Sequence, residues 1–254
     1  SPNGKMLAFV GFDDTGRDPL IRVAAVEEGI IRVVAAGIAP TWSRDGTRLA
    51  YVASGKPDWA TDWADLGRNE ERIEVLELEG TNPGRITIVA RGLWPRWSPT
   101  DDRLAFSARR DANWDIYLRG SDGLELRRLT TDPALDTRPL WMPDGRSVVF
   151  LSNRVNRWDL YKIAVDGREP PEQFTDLSRR EEQADLSPDG QKLLFTERPG
   201  RPESKIWLLD LSSQTTRPLL DSTNGDRDPA WSPDGQTIAF VSRRPNPIRA
   251  PMVP

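Results

Sequence analysis

Apolar residues in this chain come in short runs of strand length, separated by polar punctuation. Leu104-Ala105-Phe106-Ser107, Ile116-Tyr117-Leu118, Leu160-Tyr161-Lys162-Ile163 and Ile206-Trp207-Leu208-Leu209 are typical, with Gly, Asp and Asn between them. Short alternating runs bounded by turn formers read as strands joined by hairpins. The same phrase recurs before an apolar run at Ser1-Pro2-Asn3-Gly4, Ser43-Arg44-Asp45-Gly46, Ser98-Pro99-Thr100-Asp101, Met142-Pro143-Asp144-Gly145, Ser187-Pro188-Asp189-Gly190 and Ser232-Pro233-Asp234-Gly235. The intervals are 42, 55, 44, 45 and 45 residues. A period near 45 residues marks stacked supersecondary units such as propeller blades.

The phrase has a physical reading. Pro at the second position supplies the φ of a type I turn and Gly at the fourth accepts the left-handed conformation, so each copy joins two antiparallel strands. In the third copy Asp101 stands in the Gly slot and is expected to take the same positive φ, which Asp tolerates better than most residues. Within each unit the order is constant. Pro-x-Trp enters the phrase, then come an apolar run, a second run, a turn such as Ser121-Asp122-Gly123, and a third run such as Leu126 to Thr130. Each unit is therefore expected to be a four-stranded antiparallel meander, apolar on both faces and unable to bury them alone. Radial packing solves that problem, with Trp42, Trp97, Trp141, Leu186 and Trp231 as wedges between neighbours.

Pro-x-Trp-Ser-Pro-Asp-Gly, the run Ile238 to Ser242, Trp114-Asp115-Ile116-Tyr117 and Leu129-Thr130 together resemble the TolB-type β-propeller repeat. The resemblance covers nearly the whole chain. It implies an all-β, six-bladed propeller of four-stranded antiparallel blades with incomplete terminal blades, formed by residues 1–254 as one domain. It also implies a bacterial periplasmic or extracellular location and action by binding other proteins. The first unit lacks its innermost strand before Ser1. The sixth stops after Val241-Ser242, where Pro245, Pro247, Pro251 and Pro254 oppose a regular continuation. Either Ile248 to Met252 forms an imperfect outer strand, or sequence outside this segment completes the ring.

Composition narrows the function classes. Charged residues make up 29%, apolar residues 37%, and mean hydropathy is -0.58. The net charge of -4 and pI near 5.2 argue against a nucleic-acid scaffold. Even Ile30 to Ala39 is interrupted by Arg32, so no run is long enough to insert in a membrane. There is no cysteine and no histidine, which removes thiolate chemistry and the commonest general base and metal ligand. No Gly-x-Ser-x-Gly elbow or Walker loop is present either.

Two sets of residues remain as candidate sites. Counting five back from each wedge gives Gly37, Gly92, Asp136, Glu181 and Asp226, so three successive units place a carboxylate where the chain enters the innermost strand. Asp136, Glu181 and Asp226 are candidates for a calcium or other hard-cation site at the channel mouth; the alternative is that they are turn residues paired with nearby Arg. The long second interval carries an insertion at 55–71 in which Asp58, Trp59, Asp62 and Trp63 would share one face of a short helix. They are candidates for partner binding, or for folding down onto their own blade. The expected function is a non-catalytic protein-interaction or scaffold module needing no cofactor. The alternative is the gating propeller of a prolyl-oligopeptidase-like serine hydrolase whose catalytic domain lies outside this segment.

Overall fold

The computed structural model describes residues 1–53, 71–79, 83–155, 157–176, 181–197, 203–220 and 225–243. Among these every regular element is a strand. The first sheet holds β1 (Met6–Phe12), β2 (Pro19–Ala25) and β3 (Ile31–Ala36). The second holds β4 (Ile38–Trp42), β5 (Arg48–Ala53), β6 (Arg72–Glu77) and β7 (Ile86–Arg91). The third holds β8 (Leu93–Trp97), β9 (Arg103–Arg110), β10 (Asn113–Gly120) and β11 (Arg127–Arg128). The fourth holds β12 (Asp136–Trp141), β13 (Ser147–Ser152), β14 (Asp159–Ala164) and β15 (Glu172–Gln173). The fifth holds β16 (Glu181–Leu186), β17 (Lys192–Glu197), β18 (Lys205–Asp210) and β19 (Thr215–Pro218), and β20 (Arg227–Trp231) pairs with β21 (Ile238–Val241). All pairing is antiparallel and follows chain order within each sheet.

Six phrases do not make six blades. Among the described residues five blades form, four of them four-stranded and the first three-stranded, while β20 and β21 make only a two-stranded ladder. The phrase is the turn between the first and second strands of a unit, so it counts hairpins. A blade needs two further strands, and none follows Val241 among the described residues. The stretch Ile248 to Met252 lies outside them.

The wedges behave as expected. Trp97 packs with Ala50, Ile73 and Val75 of the second blade as well as Phe106 and Tyr117 of its own. Trp141 joins Ala105, Ile116 and Leu118 to Val148 and Phe150. Leu186 lies on the layer between the fourth and fifth blades, Trp42 between the first and second, and Trp231 against Leu194 and Leu208. The core is thus a series of inter-blade layers rather than one centre, which lets a chain with 37% apolar residues fold. Burial shows what an incomplete blade costs. The second strands β5, β9, β13 and β17 are buried through their middles, whereas β1, with no strand on its inner side among the described residues, is half-buried with Leu7 exposed.

The turn chemistry holds in five copies. The N–H of Gly4, Gly46, Gly145, Gly190 and Gly235 donates to the carbonyl three residues earlier at 2.8 to 3.0 Å, and these glycines have φ between 67° and 73°. The third copy departs from expectation: Asp101 does not adopt positive φ. Without Gly the turn opens, the Asp101 N–H turns to the Ser98 hydroxyl at 3.3 Å, and its carboxylate is clamped by Arg103 at 2.6 Å. Successive turns also touch. A Cβ on Gly190 would lie 3.2 Å from Pro143, one on Gly235 3.6 Å from Pro188, and one on Gly46 3.6 Å from Pro2.

The recurrent Trp-Asp-x-Tyr and Leu-Thr pair explains how the short outer strands are held. Asp115 is fully buried, bound by Arg128 at 2.6 Å, while the Thr130 hydroxyl accepts the Ile116 N–H at 3.0 Å. One blade on, Arg157 binds Asp159 at 2.6 Å and Thr175 accepts from Leu160 N–H at 3.1 Å. These acids stitch the blade edge together.

Candidate functional site

The innermost strands carry a feature that the strand pattern hides. Each of β4, β8, β12, β16 and β20 skips register against its neighbour at the same point. At that bulge one non-glycine residue is left-handed: Ala39 (52°), Trp94 (52°), Arg138 (54°), Gln183 (48°) and Asp228 (52°). All five stand three residues before the wedge. The backbone repeats and the side chain does not. A non-glycine residue in this region costs on the order of 1 kcal/mol, and such positions gather at functional sites. Bulges in turn re-aim a side chain that a regular ladder would hold in the sheet plane.

Three of these residues, Trp94, Arg138 and Gln183, border a small, partly open cavity of about 30 Å³ between the third, fourth and fifth blades, floored by Leu151 and Leu160. The Arg138 guanidinium lies 4.6 Å over the Trp94 ring, and Trp94 leans on Trp114 at 5.8 Å between centroids. Arg138 is anchored through its own N–H to the buried Ser107 hydroxyl at 3.0 Å. Gln183 Oε1 is buried with no hydrogen-bond donor among the described residues.

Arg96 and Asp185, each one residue before a wedge, belong to the same region. Burial lowers the Arg96 pKa, against the opposing charge of Asp185. Burial likewise raises the Asp185 carboxyl to about 6, against the Trp231 N–H that it accepts at 2.8 Å and the charge of Arg96. No described residue stands in hydrogen-bonding or ion-pair range of the Arg96 guanidinium. Asp228 lies beside Arg227, 3.4 Å away.

The residues expected from sequence fall differently. Asp136 is fully buried, and Arg154 Nη2 donates to both its oxygens at 2.9 and 2.8 Å while stacking on Tyr161. Burial pushes the Asp136 carboxyl up, with Ser152 and Arg154 opposing it. Asp226 is buried just before β20, and Glu181 opens β16 with its side chain outside the description. Among the described residues no three acidic side chains gather closely enough to hold a metal ion. In the second and third units the equivalent positions are Gly37 and Gly92, where a Cβ would run into the carbonyls of Val52 and Ser107. Asp58, Trp59, Asp62 and Trp63 lie outside the described residues.

The comparisons with known proteins agree with this architecture. The family model described as the TolB beta propeller domain matches residues 35–246. The chain belongs to that family. A 110-residue stretch, 40% of this TolB-type chain, is 27% identical to the Tol-Pal system protein TolB of Anaeromyxobacter sp. (strain K), and spans 21% of that protein. TolB from Acinetobacter baumannii superposes with a TM-score of 0.77 over 95% of this chain and 59% of its own, at 21% identity. A prolyl endopeptidase superposes with a TM-score of 0.60 over 94% of this chain and 37% of its own, at 16% identity. At such identities the solved structures speak for the fold alone.

Within the TolB-type propeller the bulge residues are the ones that sequence reasoning passed over. A signal existed. Pro40, Pro95, Pro139 and Pro229 each follow a bulge residue, and Pro inside a strand is confined to edges and bulges.

Proposed function

We propose that this chain is a non-catalytic TolB-like propeller that binds a protein partner over the channel surface formed by its bulged inner strands, in the bacterial cell envelope. The observation that carries the reading is the contrast between one repeated backbone conformation and five different side chains at Ala39, Trp94, Arg138, Gln183 and Asp228. Trp94 and Ala39 pack in one apolar cluster, whereas Arg138, Gln183 and Asp228 bring a cation, an amide and an anion to the same backbone position. An aromatic ring, a stacked guanidinium, a primary amide and a carboxylate on rigid strands form a recognition surface, with alternatives to exchange for each contact. The absence of histidine and cysteine from the sequence supports binding over catalysis. The relative named for the Tol-Pal system supports a periplasmic setting and protein partners.

The test is crosslinked capture from a bacterial envelope extract with three versions of the chain. The parent and a turn variant, Asp144→Asn, are expected to recover the same partner band. A channel variant carrying Arg138→Ala, Gln183→Ala and Asp228→Ala is expected to lose it while keeping its melting temperature. Equal recovery by the channel variant overturns the assignment of the binding face.

A further inference from the structure

Arg96 faces the carboxylates of Asp185 and Asp228 across the cavity without being hydrogen-bonded to either. Its strand neighbours are committed: its own carbonyl accepts the Trp141 indole N–H at 3.0 Å, and Trp97 fills an inter-blade layer. Its guanidinium borders the cavity with no acceptor in range among the described residues. The guanidinium is half-buried and keeps contact with water, and the group that satisfies its planar fork best is a carboxylate. We propose that this cavity is a carboxylate receptor, in which Arg96 holds the carboxylate, Arg138 adds charge from above Trp94, and Pro139, Leu140 and Leu151 cover the hydrocarbon that carries it. The proposal rests on the channel reading above and names the chemical group that is recognised there.

The described charged groups facing Arg96 are Arg138, Asp185 and Asp228, and Asp228 has Arg227 beside it. Two guanidinium groups thus stand with two carboxylates, one of which is drawn towards Arg227. Asp185 is the opposing charge that matters most. One of its oxygens is already occupied by the Trp231 N–H, and its carboxyl titrates near 6. A bound carboxylate is therefore held more tightly at pH 6, where Asp185 is half-protonated, than at pH 8, where it is ionised. Two sources could present the group: an acidic side chain or the C-terminus of a polypeptide.

Binding is read on the full 254-residue protein, labelled with ¹⁵N, from the Trp94 indole resonance, which is assigned by its loss in Trp94→Phe. The probes are N-acetylglutamic acid α-amide, N-acetylglycine and the neutral N-acetylglutamine α-amide. At least one carboxylate is expected to shift the resonance saturably, binding about tenfold or more tightly than the neutral probe, as charge-assisted bidentate contacts imply. Preference for the first probe identifies a side chain as the source, and preference for the second identifies a C-terminus. Arg96→Gln is expected to erase the preference, and Asp185→Asn to strengthen binding and remove its rise between pH 8 and pH 6. Equal binding of the neutral probe by the parent protein overturns the proposal, as does an undiminished preference in a folded Arg96→Gln. The contrast between probes on the parent protein decides the matter even if that variant does not fold. Loss of partner capture with intact probe binding would overturn the channel-face reading alone.

Discussion

Two positions three residues apart on the inner strands have opposite characters. At the wedge the chain places Trp in four units and Leu in the fifth, and each sits in an inter-blade layer. At the bulge it places Ala, Trp, Arg, Gln and Asp, all with φ near 50°. The wedge is uniform in side chain because its surroundings are the same in every layer. The bulge is uniform only in backbone: Trp94 and Ala39 pack in one apolar cluster with Ile38, Leu93 and Trp114, whereas Arg138 and Gln183 border the cavity. On the proposed reading, the position that repeats in sequence serves packing, while the one that repeats in conformation but varies in chemistry serves recognition.

Four measurements would break or sharpen this contrast. Trp141→Ala removes a wedge that is 8% exposed, together with its bond to the Arg96 carbonyl, and should cost about 3–5 kcal/mol in chemical denaturation. A loss below about 1 kcal/mol would show that the layers tolerate gaps and that the wedge is not a packing position. Arg154→Met leaves Asp136 buried without its partner and should cost about 3 kcal/mol, read as a lower guanidinium midpoint. It would place the strand entrance with the wedge, as structure rather than recognition.

The third measurement concerns Asp185, whose carboxyl rises from 3.8 to about 6 on folding. A group with a raised folded pKa contributes stability that is complete below pH 4 and is lost as the pH climbs through 6. That shift corresponds to at most about 3 kcal/mol. Asp185→Asn keeps an acceptor for the Trp231 N–H, so it should melt higher than the parent at pH 7.5 and lose that advantage by pH 4. A difference independent of pH would disprove the assignment. The smallest effect is expected for Gln183→Gly. Relief of the left-handed strain is offset by glycine's greater chain entropy, leaving stability within about 1 kcal/mol of the parent. A large loss there would make the bulge a packing position after all.

Much of the fold was legible because its signals are local. Type I turn chemistry is written in four consecutive residues, and the wedge repeats as a single large aromatic. Legibility failed where a count had to stand for an assembly. Six turns suggested six blades, but a turn needs only its own hairpin, whereas a blade needs four strands to pair. The acids five residues before the wedge could be aligned by counting, but the partner of Asp136 could not, since Arg154 is eighteen residues away and adjacent only through β13. The channel residues were hardest to see. Bulged conformation has no preferred residue type, and Arg96 acquires its character from strands of two other blades.

The contacts between successive turns have a consequence for the shape of the ring. Because Gly190 abuts Pro143 and Gly235 abuts Pro188, each hairpin acts as a spacer that sets the angular pitch to the next. Adding one methyl group at Gly190 would strain a left-handed turn and meet Pro143 at 3.2 Å, so the neighbouring hairpin would have to give by a few tenths of an ångström.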